Sequence, residues 1–275
     1  TIIVDGYRKA LVKALKLLAN VSVKVKQSDR DCLIKVSNTS MLTKLVGKES
    51  NFLSGIVVDA LLQVSEKDGE DYKVDLDNVK VEKKSGRSIK DTSLIQGIVL
   101  DKEVAHSGMP KSIKNAKIAL LNSALEIEKP EFDAKINISD PNQMKSFMDE
   151  ENRVLKNMVD KIADAGANIL ICQKGIDDIA QHYLAKANIL AVRRVKQSDM
   201  EKLTKATGGR MVANIEEITK SDLGNAGLVE ERAVEEDKWV FIEKAKNPKA
   251  VTLLIRGGTQ RIVDEADRSI HDALM

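Results

Sequence analysis

Residues 168 to 192 read Asn168-Ile169-Leu170-Ile171-Cys172-Gln173-Lys174-Gly175-Ile176-Asp177-Asp178-Ile179-Ala180-Gln181-His182-Tyr183-Leu184-Ala185-Lys186-Ala187-Asn188-Ile189-Leu190-Ala191-Val192. The apolar run from Asn168 to Cys172 is too short for a buried helix and suits a strand covered on both faces. Gly175 breaks it. Ile176 to Ala187 then carries apolar residues at helical spacing, and Ile189 to Val192 is a second short apolar run. Strand, helix and strand in so little chain predict a crossover unit, hence an α/β core with partly parallel pairing.

The pattern extends outward from that unit. Downstream, Ser198 is predicted to cap a helix reaching Ala206, followed by a strand from Arg210 to Val212. Leu228–Val234 and Trp239–Glu243 read as an antiparallel pair, Val251–Ile255 as a last strand, and Thr259 as the cap of a final helix. Upstream, Asp140-Pro141 opens a long helix running to about Ala165 and stopped by Gly166. Ile95–Leu100 and Ile118–Ile127 read as strands around a loop at His106-Ser107-Gly108-Met109-Pro110. Nearer the N-terminus the period is helical. Tyr7–Val25, a segment through Leu33 and Val36 to Leu45, and Phe52–Val64 are predicted helices, with a polar stretch at Ser65–Tyr72. Val79-Lys80-Val81 alternates like a strand and Lys83–Arg87 reads as a turn around Gly86. Helices, then an α/β block, then a helix again predict an α/β domain inserted into a mainly helical one. The crossings are expected near Gly97 and Gly257, with Gly258 beside it, as a hinge.

Composition narrows the function classes. The 275 residues are 43% hydrophobic and 31% charged, with a formal net charge of +2. That near-neutral balance gives no reason to expect a nucleic acid or an anionic membrane as partner. Aromatic residues are only 3%, poor for base stacking. Cys32 and Cys172 stand far apart, without metal-ligand spacing, and suit a reducing cytoplasm. His106, His182 and His271 are scattered, so no metal site is expected. The sequence holds no GxxxxGK[ST] phosphate loop, no GxGxxG, no HExxH and no GxSxG. It starts without Met and stops inside a helical pattern, which reads as a piece of a longer protein.

The run Ile171 to Leu184 resembles the apical signature of group II chaperonins. So do Ala191-Val192-Arg193-Arg194-Val195-Lys196, Ser198 to Leu203, Asp222-Leu223-Gly224, Leu228-Val229-Glu230-Glu231-Arg232, Gly108-Met109-Pro110-Lys111 and Ala116 to Leu120. The likeness runs the whole length and is strongest to archaeal thermosome subunits. It implies an ATP-dependent protein-folding subunit with a built-in lid, acting on unfolded or partly folded proteins within a double ring of identical or paralogous subunits. It also implies the division: 1–26 as the edge of an equatorial domain, 27–97 and 253–275 as the intermediate domain, and 98–252 as the apical domain with a helical protrusion at about 131–165. ATP and Mg2+ then belong to the equatorial domain of a complete subunit, and neither is expected on this piece alone. The rival from another class is a passive holding module that binds unfolded chains without a nucleotide cycle.

The resemblance also assigns residues. Asp272 matches the intermediate-domain aspartate that orients the water attacking the terminal phosphate, a task suited to a carboxylate. From the helix pattern alone it is a solvated charge on the stripe of Glu265 and Arg268, opposite Val263, Ala266, Ile270 and Ala273. Lys44 matches a nucleotide-sensing lysine, with Lys48 as a competing choice and a plain surface lysine as the bland one. Met144, Phe147, Met148, Leu155, Met158 and Ile162 form one apolar helical stripe. The first three are expected exposed near the tip for clients or neighbouring lids, and the last three packed at its base. On the helix from Ile176, the resemblance places Gln181, His182 and Lys186 toward the cavity, with Ile179, Tyr183 and Leu184 against the sheet.

Overall fold

The computed structural model describes residues 2–23, 25–69, 71–127, 141–246 and 248–275. Three helices come first: α1 (Ile2–Val21), α2 (Arg30–Met41) and α3 (Ser50–Val64). The polar stretch after α3 is a small hairpin, β1 (Glu66–Asp68) with β2 (Asp71–Lys73), where the sequence reading has only a break. Next are β3 (Val79–Ser85), β4 (Ser93–Ile95), β5 (Gly97–Leu100) and β6 (Ser112–Leu121). The central block holds α4 (Pro141–Asp164), β7 (Ile169–Cys172), α5 (Asp178–Lys186), β8 (Leu190–Val192), α6 (Gln197–Thr207) and β9 (Met211–Val212). The chain closes with β10 (Gly224–Val234), β11 (Asp237–Glu243), β12 (Val251–Gly257) and α7 (Gln260–Leu274).

The strand–helix–strand unit is as the sequence predicts. β7 pairs parallel to β8, with Ile169, Leu170 and Ile171 opposite Leu190, Ala191 and Val192. They sit in a seven-stranded sheet of order β5-β11-β10-β6-β7-β8, with β9 also on β6. The two-residue period sorts the apolar run onto both faces. Ile169 and Ile171 join Met200, Leu203 and Ala206 of α6 on one side. Leu170 and Cys172 join Leu155, Val159 and Ile162 of α4 and Leu184 of α5 on the other. Burial on both faces is why the run shows no alternation.

A second, three-stranded sheet, β3-β12-β4, carries the helices α2, α3 and α7. Leu253 and Ile255 of β12 pack with Leu53 and Val57 of α3 and with Val263 and Ile270 of α7. The sequence reading places Val251–Ile255 at the end of the α/β block and misses this sheet. The predicted strand 95–100 is in fact two, β4 in the small sheet and β5 in the large one, divided at Gln96. The chain therefore leaves the small sheet just before Gly97 and returns between Glu243 and Val251. The return is not at Gly257, which ends β12 next to α7 in the same layer, with Gly258 in the following turn. Gly97 has φ +152°, and a Cβ there would strike the carbonyl oxygen of Ile242 on β11. It is a site of close strand approach, held in register with Glu243.

Other boundaries move for local reasons. β3 continues through Lys83 to Ser85, because β12 pairs with it in parallel as far as Gly257 opposite Ser85. β6 starts at Ser112, because its polar first half pairs with Leu228–Glu230 of β10, and it ends at Leu121 rather than at Ile127. Ser198 lies inside α6; its N-cap is Lys196, without a side-chain bond. Thr259 does cap α7, its hydroxyl accepting from the Ile262 amide at 3.4 Å. Asp140, the start proposed for α4, and residues 131–139 of the predicted protrusion lie outside the described residues. No helix among the described residues is long and apolar enough to cross a membrane.

The two glycines of the predicted hinge should behave differently. Gly97→Ala forces a collision with backbone and should lower the unfolding free energy by about 2–3 kcal/mol. Gly258→Ala meets nothing within 4 Å and should change it by less than about 0.5 kcal/mol. Urea unfolding of both variants, with unchanged slope, measures the difference.

Candidate functional site

Lys44 lies in the turn that follows α2. Its amide donates to the Met41 carbonyl at 3.0 Å, and the Gly47 amide donates to the Lys44 carbonyl at 2.9 Å. A Cβ at Gly47 would run into the Leu42 carbonyl, so glycine lets the turn close. Met41 beneath it is fully buried. The turn is thereby fixed to the core while the Lys44 ammonium reaches outward.

α7 supplies the other half. Val263, Ala266 and Ile270 are buried, as the helix pattern predicts, and Ala273 packs at the core's edge. On the outer face, the Lys83 ammonium of β3 donates to Asp264 at 3.2 Å and to Asp267 at 3.0 Å, which fixes the helix against the sheet. Asp272 lies two turns beyond Asp264 and accepts a hydrogen bond from Lys44. The structure thus joins two residues 228 positions apart that the sequence reading nominates separately. The Asp272 side chain remains 58% exposed and that of Lys44 24%, so the pair is open to a further group. The hydrogen bond and charge of Lys44 hold the Asp272 carboxyl below its ordinary value. A carboxylate kept anionic in this way can orient a water; the neighbouring ammonium can meet an anion. Lys48 is exposed and stands outside this pair.

At the far side of the large sheet, α4 is anchored by one half only. Leu155 and Ile162 are buried and Met158 half-buried, as expected for the base. Val159, outside the predicted stripe, is buried with them. Met144, Phe147 and Met148 are 53%, 47% and 58% exposed. A 24-residue helix is about 36 Å long, so this apolar stripe stands well clear of its anchor.

α5 departs from expectation at two positions. Gln181 is 3% exposed rather than facing a cavity. Its amide donates to the Ile176 carbonyl at 2.7 Å and to Asp178 at 3.0 Å, closing the first turn of the helix. Ile179, expected against the sheet, is 42% exposed, while Leu184 is buried and Tyr183 half-buried. His182 and Lys186 are exposed. His182 lies edge-on to His106, and Lys186 sits 5.9 Å from the Tyr183 ring centroid.

The sequence model of the TCP-1/cpn60 chaperonin family matches residues 1–275. The chain belongs to the TCP-1/cpn60 chaperonin family. Among similar proteins, thermosome subunit beta of Sulfolobus acidocaldarius is 59% identical over 274 residues, covering 100% of this chain and 50% of that protein. Thermosome subunit alpha of Archaeoglobus fulgidus is 53% identical over the same span, again covering half of the relative. The fold is similar to the open-state monomer of a group II chaperonin from Methanococcoides burtonii. The TM-score is 0.78 at 38% identity, covering 100% of this chain and 62% of that one. The chain spans about half the length of the curated relatives it matches.

This chaperonin-family chain also contains charge clusters that sequence reasoning missed. Lys80 of β3 is 5% exposed. Its ammonium donates to the Val99 carbonyl at 2.6 Å and pairs with Glu82 at 2.9 Å and Asp199 at 3.0 Å. Glu235, at the tip of the β10–β11 hairpin, pairs with both Arg87 and Arg256. Arg256 is thus a buried strut, not a free basic element. The one available signal was a charge inside an apolar strand, as in Val79-Lys80-Val81 and Leu254-Ile255-Arg256.

The Lys44–Asp272 pair has a titration signature. A depressed carboxyl contributes stability that is complete above the ordinary carboxylate range and is lost as pH falls through its folded value. Lys44→Met should raise the Asp272 pKa toward its ordinary value, and Lys48→Met should leave it in place. Carboxyl carbon chemical shifts followed between pH 2 and 6 read both.

Proposed function

We propose that this chain is the client-handling and signalling part of an ATP-dependent, group II protein-folding chaperonin subunit with its own lid. One observation carries the reading. A solvent-open carboxylate–ammonium pair and a projecting methionine-rich helix lie on one body, joined through two sheets. The small sheet with α2, α3 and α7 is the intermediate part, and the large sheet with α4 is the apical part. α1, which buries no residue and exposes Tyr7, Leu11, Leu15 and Leu18, is the edge on which the remainder of the subunit packs.

The kinship with group II chaperonins assigns ATP and Mg2+ to the remainder of the subunit. Bound there, ATP supplies the phosphoanhydride whose hydrolysis drives the cycle. The residues of this chain do the rest. Asp272, kept anionic by Lys44, accepts a hydrogen bond from a water and orients it. Lys44 can exchange the carboxylate for another anion, and either change moves the turn after α2 relative to α7. Met144, Phe147 and Met148 offer adaptable apolar contacts to unfolded or partly folded proteins, or to neighbouring lids in a double ring of identical or paralogous subunits in the cytoplasm. His182 and Lys186, exposed on α5, add polar contacts to the same clients. Gln181 acts through the fold of α5.

Two measurements test this. Replacing Met144, Phe147 and Met148 together by Ser should cut this chain's suppression of aggregation of a denatured protein severalfold, equally with and without ATP. In the full-length subunit, Asp272→Ala should lower ATP turnover by on the order of a hundredfold or more while leaving nucleotide binding intact. Loss of nucleotide binding in that variant would contradict the assigned role. Client binding unaffected by ATP in the full-length subunit would favour the passive holding module instead.

A further inference from the structure

The border between the two sheets is made in two ways. Beside the strand crossings it is apolar: Ile95 and Leu254 of the small sheet pack with Val99, Val234, Trp239 and Phe241 of the large one. Thr252 of β12 reinforces this patch, its hydroxyl donating to the Gly97 carbonyl at 3.0 Å and accepting from the Val99 amide at 3.1 Å. Arg256 of β12, buried at the edge of this patch, pairs with Glu235 of the hairpin tip. Farther out, exposed charged pairs cross the border. Lys84 meets Asp237 at 2.5 Å, Lys205 meets Asp75 at 3.3 Å, and Arg87 meets Glu235 at 3.1 Å. Such rim pairs can be exchanged for water at little cost, and parting them exposes no apolar surface.

Lys80 differs from the rim. Its side chain is 6% exposed and that of Asp199 7%. Val99 and Asp199 come from the large sheet and its helix α6, Glu82 from β3 itself. Asp101 stands beside them, with a carboxylate oxygen each of Glu82, Asp101 and Asp199 lying within 4.8 Å of one another. Burial pushes the Glu82 carboxyl above its ordinary value against the pull of Lys80. The ammonium is what lets these acids share a dry site, and its three acceptors converge only in the present orientation of the sheets. Removing one partner of such a cluster leaves an uncompensated buried charge. Two carboxylates of the cluster, Glu82 and Asp101, line an open groove of about 840 Å³ with Lys83, Lys102, Glu236 and Gln260, so solvent reaches the acidic edge of the cluster.

We propose that Lys80 with Asp199, Glu82 and the Val99 carbonyl is a latch between the two sheets, and that the large sheet swings about the Ile95–Leu254–Phe241 patch when the latch opens. The latch needs neither a nucleotide nor a client. Loss of a simple stabilising contact loosens a core. Loss of the latch gives a second orientation of two intact bodies.

Spin labels on Arg268→Cys of α7 and Lys186→Cys of α5, in a Cys32→Ser background, report the orientation. Cys172 is buried and its thiol is pushed up to about 11, so it does not compete for label. The parent should give one narrow distance. Lys80→Met and Asp199→Asn should each give a second distance, with the orientation equilibrium shifted by on the order of a hundredfold. Amide-exchange protection within each sheet should be retained. Lys84→Met, on the rim, should keep the single distance. A single unchanged distance in folded Lys80→Met or folded Asp199→Asn overturns the proposal. So does loss of protection in both sheets of both variants, which would make the cluster part of the core. Where only Lys80→Met fails to fold, Asp199→Asn decides.

Discussion

Everything in this molecule depends on β12 finding its place. Its seven residues are all buried. It pairs in parallel with β3 and antiparallel with β4, although some 155 residues lie between Gly97 and Thr252, which its hydroxyl joins. Closing a flexible loop of that length is entropically costly, though each doubling adds only about 0.6 kcal/mol. The inserted chain reduces that cost by folding on itself. Its two ends, Gly97 and Glu243, are direct partners across β5 and β11. Once the large sheet forms, the remaining gap to β12 is seven residues, 244–250, and the small sheet closes as though the insertion were a short loop. That is the physical reason Gly97 tolerates no side chain: the neck of the insertion is two strands in contact.

β12 also distributes its side chains to every part of the structure. Leu253 and Ile255 face the helices, Leu254 the bridging patch, Thr252 the strand β5, and Arg256 the hairpin tip at Glu235. Such a strand has no alternation to read, because both its faces and its ends are occupied. This explains which parts of the fold were legible in the sequence. The helical stripes of α3, α4 and α7 and the strand–helix–strand unit around α5 follow from period and length alone. The membership of β12 in a second sheet does not, since an apolar run looks the same in either. The break beside Gly97 was legible as a glycine but not as a strand switch. The β1–β2 hairpin carries mostly charged residues and leaves no apolar trace.

The candidate site divides in the same way. The exposed tip and buried base of α4 follow from one stripe whose apolar residues outnumber what a single contact can cover. The partnership of Lys44 with Asp272 had no sequence signal of its own, since two surface charges 228 residues apart resemble any others; only the likeness to chaperonins nominated each. Gln181 was misplaced because helical position and chemistry both favour exposure, whereas its amide satisfies the Ile176 carbonyl and Asp178 in the first turn of α5. Lys80 was missed for the opposite reason: a lysine between two valines in a strand reads as its solvent face unless the acceptors that bury it are known.

These pieces form a continuous line of contacts. Asp272 is on α7. Lys83 of β3 fixes α7 through Asp264 and Asp267. Three residues back along β3, Lys80 reaches Asp199 on α6 of the large sheet. A helix packed on a strand moves as one body with it, because interiors are close-packed and deform little. A displacement of α7 at its Asp272 end is therefore delivered to β3, and β3 carries the buried charge that spans the border. Contact alone does not transmit a signal; a chain of contacts couples two sites when one link has two discrete states that both sites bias. In this line the apolar links, α7 on β12 and β12 on β3, have only one good packing. The buried ammonium is the link for which a second state, rehydrated from the groove that Glu82 and Asp101 line, costs least in exposed apolar surface. It is where the line can switch.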